Sequence, residues 1–357
     1  APLAKQTFNL ELHRIFAMIG ENQTFITDYA SDRRYLNVPF KWLMDDGMVV
    51  IHDAGPLKRG DQILSVGGKS PDEIALMLKE VISVQNEYGL RNMAETYLTR
   101  ASYLSYLGLV NKNQTVDVTV LRDGDTFDYQ IPLTATRWWP PAATDRPFEI
   151  DIDDSIGYLP LHDLPPKDEL DPLQGKMDAF FDAVHEKGIK NVVIDLRQTN
   201  GRHSWVNSLL VSYLDKGPVY STGYGKYYAG KNPQETLFDG NVYVLTSNGS
   251  TGSTVLLASL LHDNGVAITV GEPTGEAPAF NYSTVSWEEL PITGWAFRLA
   301  TEPALARPLN LDPTVTSLYP DFPVYTSRDD IMDDRDPQME KVKELVANGS
   351  TISDMPR

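Results

Sequence analysis

From Gln6 to Met18 the apolar residues Phe8, Leu10, Leu12, Ile15, Phe16 and Met18 fall mostly at helical spacing, and Gly20 supplies a stop. The pattern predicts an opening helix. An apolar stretch from Val38 to Val50 is followed by a turn at Gly55 to Gly60, a strand over Ile63, Leu64 and Val66, a second turn at Gly67-Gly68, and then Ser70-Pro71-Asp72-Glu73. Ser70 can accept from freed backbone N–H groups, Pro71 suits a first turn, and Glu73 stands three residues on, so a capped helix is expected there. Residues Tyr88 to Leu109 read as helical, with a Tyr and Leu stripe that suits a core. Val116 to Leu121 and Phe127 to Leu133 alternate around Arg122-Asp123-Gly124-Asp125, the pattern of a β-hairpin.

The run Trp138-Trp139-Pro140-Pro141 breaks this periodicity, because proline continues neither a helix nor a central strand. Beyond it strands and helices alternate: Ile156–Leu161, helix Asp171–Lys187, Asn191–Leu196, helix Ser204–Leu214, Val242–Thr246, helix Ser253–His262 and Ala267–Gly271. Continuous apolar strands between helices predict a mainly parallel sheet covered on both faces, with its site at the carboxyl ends of the strands. The expected organisation is a helical segment at 1–37 belonging to the core, an α+β domain at 38–136, a linker at 137–150 and an α/β core at 151–357.

Charge narrows the partners. Among 357 residues, 31 Lys+Arg stand against 49 Asp+Glu, giving −18, which argues against nucleic acid or an anionic membrane as partner. A hydrophobic fraction of 41% supports a folded core rather than global disorder. No cysteine is present, which removes disulfides, thiolate metal sites and cysteine nucleophiles. No apolar run approaches the roughly 20 residues of a membrane span, so membrane integration is not expected. The start Ala1-Pro2-Leu3-Ala4 reads as processed, and with the acidity and absence of cysteine it suggests an extracellular or cell-envelope protein. The acidic clusters Asp151-Ile152-Asp153-Asp154 and Asp329-Asp330-x-x-Asp333-Asp334 lack calcium-loop spacing. Neither a metal nor another cofactor is therefore expected.

The segment Gly60-Asp61-x-Ile63-Leu64-x-Val66-x-Gly68 resembles the PDZ fold, with turn, strand, turn and helix in that order. Further along come Asp195-Leu196-Arg197-x-x-Asn200-Gly201, Val242 to Asn248, His262-Asp263-Asn264-Gly265, Val270 to Gly275 and Tyr319-Pro320-Asp321. Taken in order, these resemble the C-terminal processing, or tail-specific, serine peptidases and relatives such as the tricorn core. The resemblance implies a ClpP/crotonase-like α/β core with an inserted PDZ-like α+β domain, and peptide or unfolded protein segments as partners.

Residues Ser247 to Ser253 lead directly into an apolar helix, whose first N–H groups could receive a negative oxygen. Ser250, Thr251, Ser253 and Thr254 are the hydroxyls at hand, although Ser and Thr are also the best helix caps. Aligned back from Asp263, the family's nucleophilic serine falls on Gly252. The histidine base of some relatives falls on Gln23, within Ile19-Gly20-Glu21-Asn22-Gln23-Thr24, and the lysine base of others on about Ala277. Neither Gln nor Ala can remove a proton. Gly201 could still donate its N–H to an oxyanion, whereas Arg202 intrudes where relatives carry a second glycine. Among the six histidines, His203 lies closest in sequence to this cleft, and His13, His162, His185 and His262 read as structural or solvated. Two readings follow: a non-catalytic or weakly active homologue that binds peptides or a protein partner, or an active serine endopeptidase with a nucleophile relocated to Ser253 or Ser250, served by His203. Oligomeric state is not legible in the sequence.

Overall fold

Alternating apolar and polar positions build the first sheet. The computed structural model describes residues 4–27, 32–137, 149–152, 155–161, 164, 168, 170–201, 205–216, 219–220, 227–228, 237–278, 281–304 and 314–354. These divide into two units, one within 1–142, 284–301 and 325–336, the other within 143–283, 302–324 and 337–357.

In chain order the first unit begins with α1 (Lys5–Ala17), β1 (Phe25–Ile26), β2 (Tyr35–Leu36), β3 (Phe40–Leu43), β4 (Gly47–Val50) and β5 (Gln62–Val66). It continues with α2 (Pro71–Lys79), α3 (Glu87–Tyr97), α4 (Ala101–Tyr106), β6 (Thr115–Arg122) and β7 (Asp125–Thr134). Strands β2 to β7 form one antiparallel sheet in the order β2-β7-β6-β5-β4-β3. Val116, Val118 and Val120 of β6 are buried at every second position, against Trp42, Met48, Ile63, Ile74, Leu78 and Tyr103. This inserted antiparallel domain is consistent with the PDZ-like expectation. Its local signals act as the sequence predicts. Ser70 and Glu73 exchange the two hydrogen bonds of a capping box with Pro71 in the first turn. Asp123 and Gly124 take φ of 52° and 90°, as the tight hairpin between β6 and β7 requires.

The two edges of this sheet differ. On the β3 side, Glu95 of α3 accepts the Trp42 N–H at 3.1 Å, and Arg91 one turn earlier donates to the Leu43 and Met44 carbonyls at 2.7 and 3.0 Å. Helix side chains thus occupy backbone groups that an added strand would need. On the other side β2 pairs with Leu133 and Thr134, so residues 125–131 of β7 have, among the described residues, a strand neighbour on one side only.

The segment expected to belong with the parallel-sheet core, residues 1–37, is placed differently. Leu10 of α1 packs in the cluster of the antiparallel unit. Phe25 and Ile26 of β1 pair with Arg298 and Phe297 of β18 (Ala296–Ala304), which neighbours β17 (Asn281–Glu289). Phe8 and Phe16 lie 5.8 Å from the rings of Trp295 and Phe297. The helical period was readable, but the rings that cover this helix lie far along the chain, Trp295 against Phe8 and Phe297 against Phe16. Helix α8 (Arg328–Met332) joins the same unit through the Arg328 N–H to Asp46 and Arg328 Nε to the Gly60 carbonyl. The expected linker falls mostly on 138–148, outside the described residues.

The second unit contains β8 (Glu149–Ile152), β9 (Ile156–Pro160), α5 (Leu170–Glu186), β10 (Asn191–Asp195), β11 (Asn200–Gly201) and α6 (Trp205–Val211). The strand pair β12 (Val219–Tyr220) and β13 (Tyr227–Tyr228) precedes β14 (Asn241–Thr246), β15 (Thr251–Gly252), α7 (Ser253–Asp263), β16 (Ala267–Gly271), β19 (Phe322–Pro323) and α9 (Pro337–Ala347). The sheet runs β19-β16-β14-β10-β9-β8, parallel except for β8. Val192, Ile194, Val242 and Val244 face a cluster with Phe181, Leu210 and Leu257 of α5, α6 and α7. Val193, Tyr243, Leu245 and Ile268 face Met339, Val342 and Leu345 of α9. Both faces are covered, which is why the strands read as unbroken apolar runs. The α/β class with a mainly parallel core is the one the pattern predicts.

Candidate active-site region

The carboxyl ends of β10 and β14 open side by side, and the chain beyond each folds back into a short parallel pair in which Gly201 stands opposite Gly252. Two of the expected site positions are thereby brought together.

The end of β10 is fixed by a buried ion pair. Arg197 holds Asp195 with Nε at 3.0 Å and Nη2 at 2.7 Å, and the Tyr158 hydroxyl donates to the same carboxylate at 2.6 Å. Burial alone would push the Asp195 carboxyl up, but Arg197 and Tyr158 outweigh it and hold it below the ordinary carboxylate range. Arg197 also donates to Gln338 of α9 at 2.9 Å. The Asp-Leu-Arg signature here anchors a loop.

Hydroxyls staple that loop to the turn before α7. Ser247 donates to the Arg197 carbonyl at 2.5 Å, Ser250 to the Leu196 carbonyl at 2.8 Å, and Thr254 to the Thr199 carbonyl at 2.9 Å. Ser250 also accepts the Ser247 N–H at 3.0 Å and is fully buried. Its proton and one of its lone pairs are committed to backbone, the bonding of a structural staple. Ser253, the other expected hydroxyl, is the first residue of α7 and is 8% exposed.

Gly252 forms the turn itself. Its φ of 61° and ψ of −132° lie in a region that essentially only glycine occupies without strain, and no side chain caps the helix behind it. Its N–H donates to Glu276 Oε2 at 2.7 Å. Glu276 is 5% exposed and sits on a turn locked by neighbours: Thr274 donates to the Glu276 carbonyl at 2.8 Å and Ser317 to the Thr274 carbonyl at 2.8 Å. A carboxylate at the amino end of α7 meets the positive end of the helix dipole. Glu276 is not marked by the sequence pattern, in which the family's lysine position falls on the neighbouring Ala277, which is 2% exposed. The available signal was an acidic residue between Gly275 and Ala277, five residues beyond the end of β16.

Asp263, another expected position, stands at the far end of the helix from this turn. Asp263 ends α7, so the 11-residue helix separates it from Gly252 by about 16 Å at 1.5 Å per residue. There it accepts from His262 at 2.8 Å, while Asp321 approaches the other ring nitrogen at 3.4 Å. Burial lowers the imidazole's affinity for a proton, but the two carboxylates more than compensate and raise its pKa to about 9. His262 is therefore a paired cation, a structural role in keeping with its sequence reading. Gln23 belongs to the first unit, where its N–H donates to Glu21 at 2.6 Å. His203 and Arg202 fall outside the described residues, as does His162. His13 is buried and neutral, its pKa lowered to about 4 by burial and then by Arg100. Among the described residues no group of three or more His, Asp or Glu is placed to hold a metal, and no helix is long and apolar enough to cross a membrane.

Residues 155–307 match the model of peptidase family S41. No curated protein matches the chain by sequence. Among solved structures, a crystal structure of a CPAF mutant aligns with a TM-score of 0.71 at 13% identity, covering 100% of this chain and 90% of that one. Mature CPAF complexed with lactacystin aligns with a TM-score of 0.70 at 13% identity, covering 96% of this chain and 88% of that one. These likenesses establish the fold.

Proposed function

We propose that this chain, whose residues 155–307 match the model of peptidase family S41, a family acting on protein or peptide substrates, has kept the peptide-handling scaffold and lost the hydrolytic step. The observation that supports this most is the bond from the Gly252 N–H to the buried Glu276 carboxylate. At the turn where the resemblance places an attacking serine stands a residue without a side chain. A backbone N–H that could have polarised an incoming carbonyl is already engaged by an internal anion. An acyl-transfer site needs a nucleophile, a base in reach of its proton and free donors for the oxyanion. Here Gly252 offers no hydroxyl and Ser250 has spent its own. Ala277 has no titratable group, and neither does Gln23 near neutral pH.

The binding role rests on the same architecture: the loops beyond β10 and β14 meet in a short parallel pair, Asn200–Gly201 with Thr251–Gly252, carried on the parallel sheet. A location outside the cytoplasm belongs to this proposal and is checked by fractionating cells that make the protein.

A fluorophosphonate probe, followed by mass-spectrometric mapping of the modified peptide, tests the reading. The expected result is no adduct between residues 247 and 254 and no cleavage of an unfolded protein substrate. An adduct on Ser253 would instead establish the relocated nucleophile.

A further inference from the structure

The antiparallel sheet of the first unit has one edge engaged by α3 and one that, among the described residues, is open along 125–131. Along β7 every residue from Asp125 to Pro132 is in register with β6, from Arg122 to Thr115, while β2 covers only Leu133 and Thr134. Residues 125–131 thus present a strand edge of about 24 Å, at 3.4 Å per residue, whose alternate N–H and C=O groups point away from β6. Asp125, Thr126, Phe127, Asp128 and Gln130 are exposed. Such an edge is a template for a further strand.

The side chains on that edge select what can add to it. Phe127 is 37% exposed and stacks on Tyr129, with ring centroids 6.3 Å apart and planes 4° from parallel, giving an apolar ledge on one face. Acidic groups flank the ledge: Asp125 at its start and Asp128 on the opposite face, with Asp117 of β6 on the same face as Asp128. Arg122 reaches this ledge, its guanidinium 5.1 Å from the Phe127 ring centroid, and its charge is paired with Asp61 through two contacts of 2.6 Å. A second copy of this chain is a poor occupant. Symmetric antiparallel pairing centred on residue 128 would set Asp128 directly against its own equivalent, and like charges opposite each other in a ladder are destabilising. The protein's net charge of −18 adds to that repulsion.

We propose that the open edge of β7, residues 125–131, takes up an extended basic segment of another protein as an added strand. Main-chain hydrogen bonds would supply the register, Asp125 and Asp128 would pair with lysine or arginine of the incoming segment, and Phe127 with Tyr129 would receive its alternate apolar residues. The surface lies wholly within the first unit and stands whether or not Ser253 reacts.

The test uses the full chain and a capped heptapeptide, Lys-Val-Lys-Val-Lys-Val-Lys. Two control peptides accompany it, one with glutamate for lysine and one with alternate backbone nitrogens methylated at unchanged charge. Amide hydrogen exchange is expected to slow at 125–131 on adding the lysine peptide, and affinity is expected to fall at least 10-fold for each control. Asp125→Lys combined with Asp128→Lys is expected to weaken the lysine peptide at least 10-fold while leaving circular dichroism unchanged. The methylated peptide keeps the test decisive even if that variant misfolds. Equal binding of the methylated peptide, or protection confined to 196–201 and 250–254, would overturn the proposal; the second result would support the core cleft instead. Concentration-dependent dimers with protected 125–131 would also overturn it, in favour of a second copy.

Discussion

Gly252 shows how one backbone angle pair and one missing side chain decide what a turn can do. At φ 61° and ψ −132° a Cβ would strain the backbone by about 1–3 kcal/mol, so Gly252→Ala should lower the urea-unfolding free energy by that amount. Its hydrogen-bond partner carries a second expectation. Replacing Glu276 by glutamine keeps an acceptor but removes the charge, and a charge-assisted bond exceeds a neutral one by about 1 kcal/mol. Glu276→Gln should therefore destabilise by about 1 kcal/mol and speed hydrogen exchange at the Gly252 amide. Glu276→Ala should cost more, about 1–3 kcal/mol, because it strands a buried donor. An unchanged exchange rate at Gly252 in both variants would refute the bond. None of this was visible in the sequence beyond the glycine itself, because the partner stands 24 residues away on a turn that Thr274 and Ser317 hold in place.

Helix α7 carries opposite charges at its two ends, Glu276 at the amino end and protonated His262 at the carboxyl end. The Glu276 carboxylate complements the helix dipole, while at the other end the Asp263 and Asp321 carboxylates offset the imidazolium. The imidazole's folded pKa of about 9 lies above its ordinary 6.5, so protonation favours the folded state. Its contribution is complete below pH 6.5 and disappears as pH rises through about 9. At full strength it amounts to about 3 kcal/mol, because each pH unit separating the folded and unfolded pKa values is worth about 1.36 kcal/mol. Stability measured by denaturant should accordingly fall between pH 6.5 and 9, and His262→Asn should flatten that slope. Local codes were legible at this scale: the capping box at Ser70 and Glu73, and the Asp123-Gly124 turn, each use residues within four positions. The pairing of His262 with Asp321 was not, since it requires the lead into β19 to lie beside β16. Thr269 fixes that carboxylate with an N–H at 2.8 Å and a hydroxyl at 2.9 Å.

For the whole molecule, the order of strands and helices beyond residue 150 identified a covered parallel sheet, because burial on both faces leaves a continuous apolar signature. The organisation of the first unit was less legible. Its opening helix looked self-explanatory, yet Phe8, Phe16 and Phe25 rest on Trp295, Phe297 and Trp287, and α8 returns to Asp46 and Gly60. Hydrophobic periodicity states that a face is buried and is silent about what buries it. A fragment ending at residue 137 lacks β17, β18 and α8. It should bind a hydrophobic dye such as ANS and lose near-ultraviolet dichroism relative to the full chain, whereas a dye-silent fragment with sharp tertiary signals would show those strands to be dispensable.

The unequal edges of the antiparallel sheet also govern how far any assembly through it can grow. Head-to-tail stacking, in which β7 of one molecule meets β3 of the next, would repeat without end unless its rotation closed a ring. Glu95 and Arg91 already hold the Trp42 N–H and the Leu43 and Met44 carbonyls, so the receiving side of that repeat is shut. A strand that joins at β7 is therefore a terminal addition, and α3 serves as a built-in chain terminator against filaments.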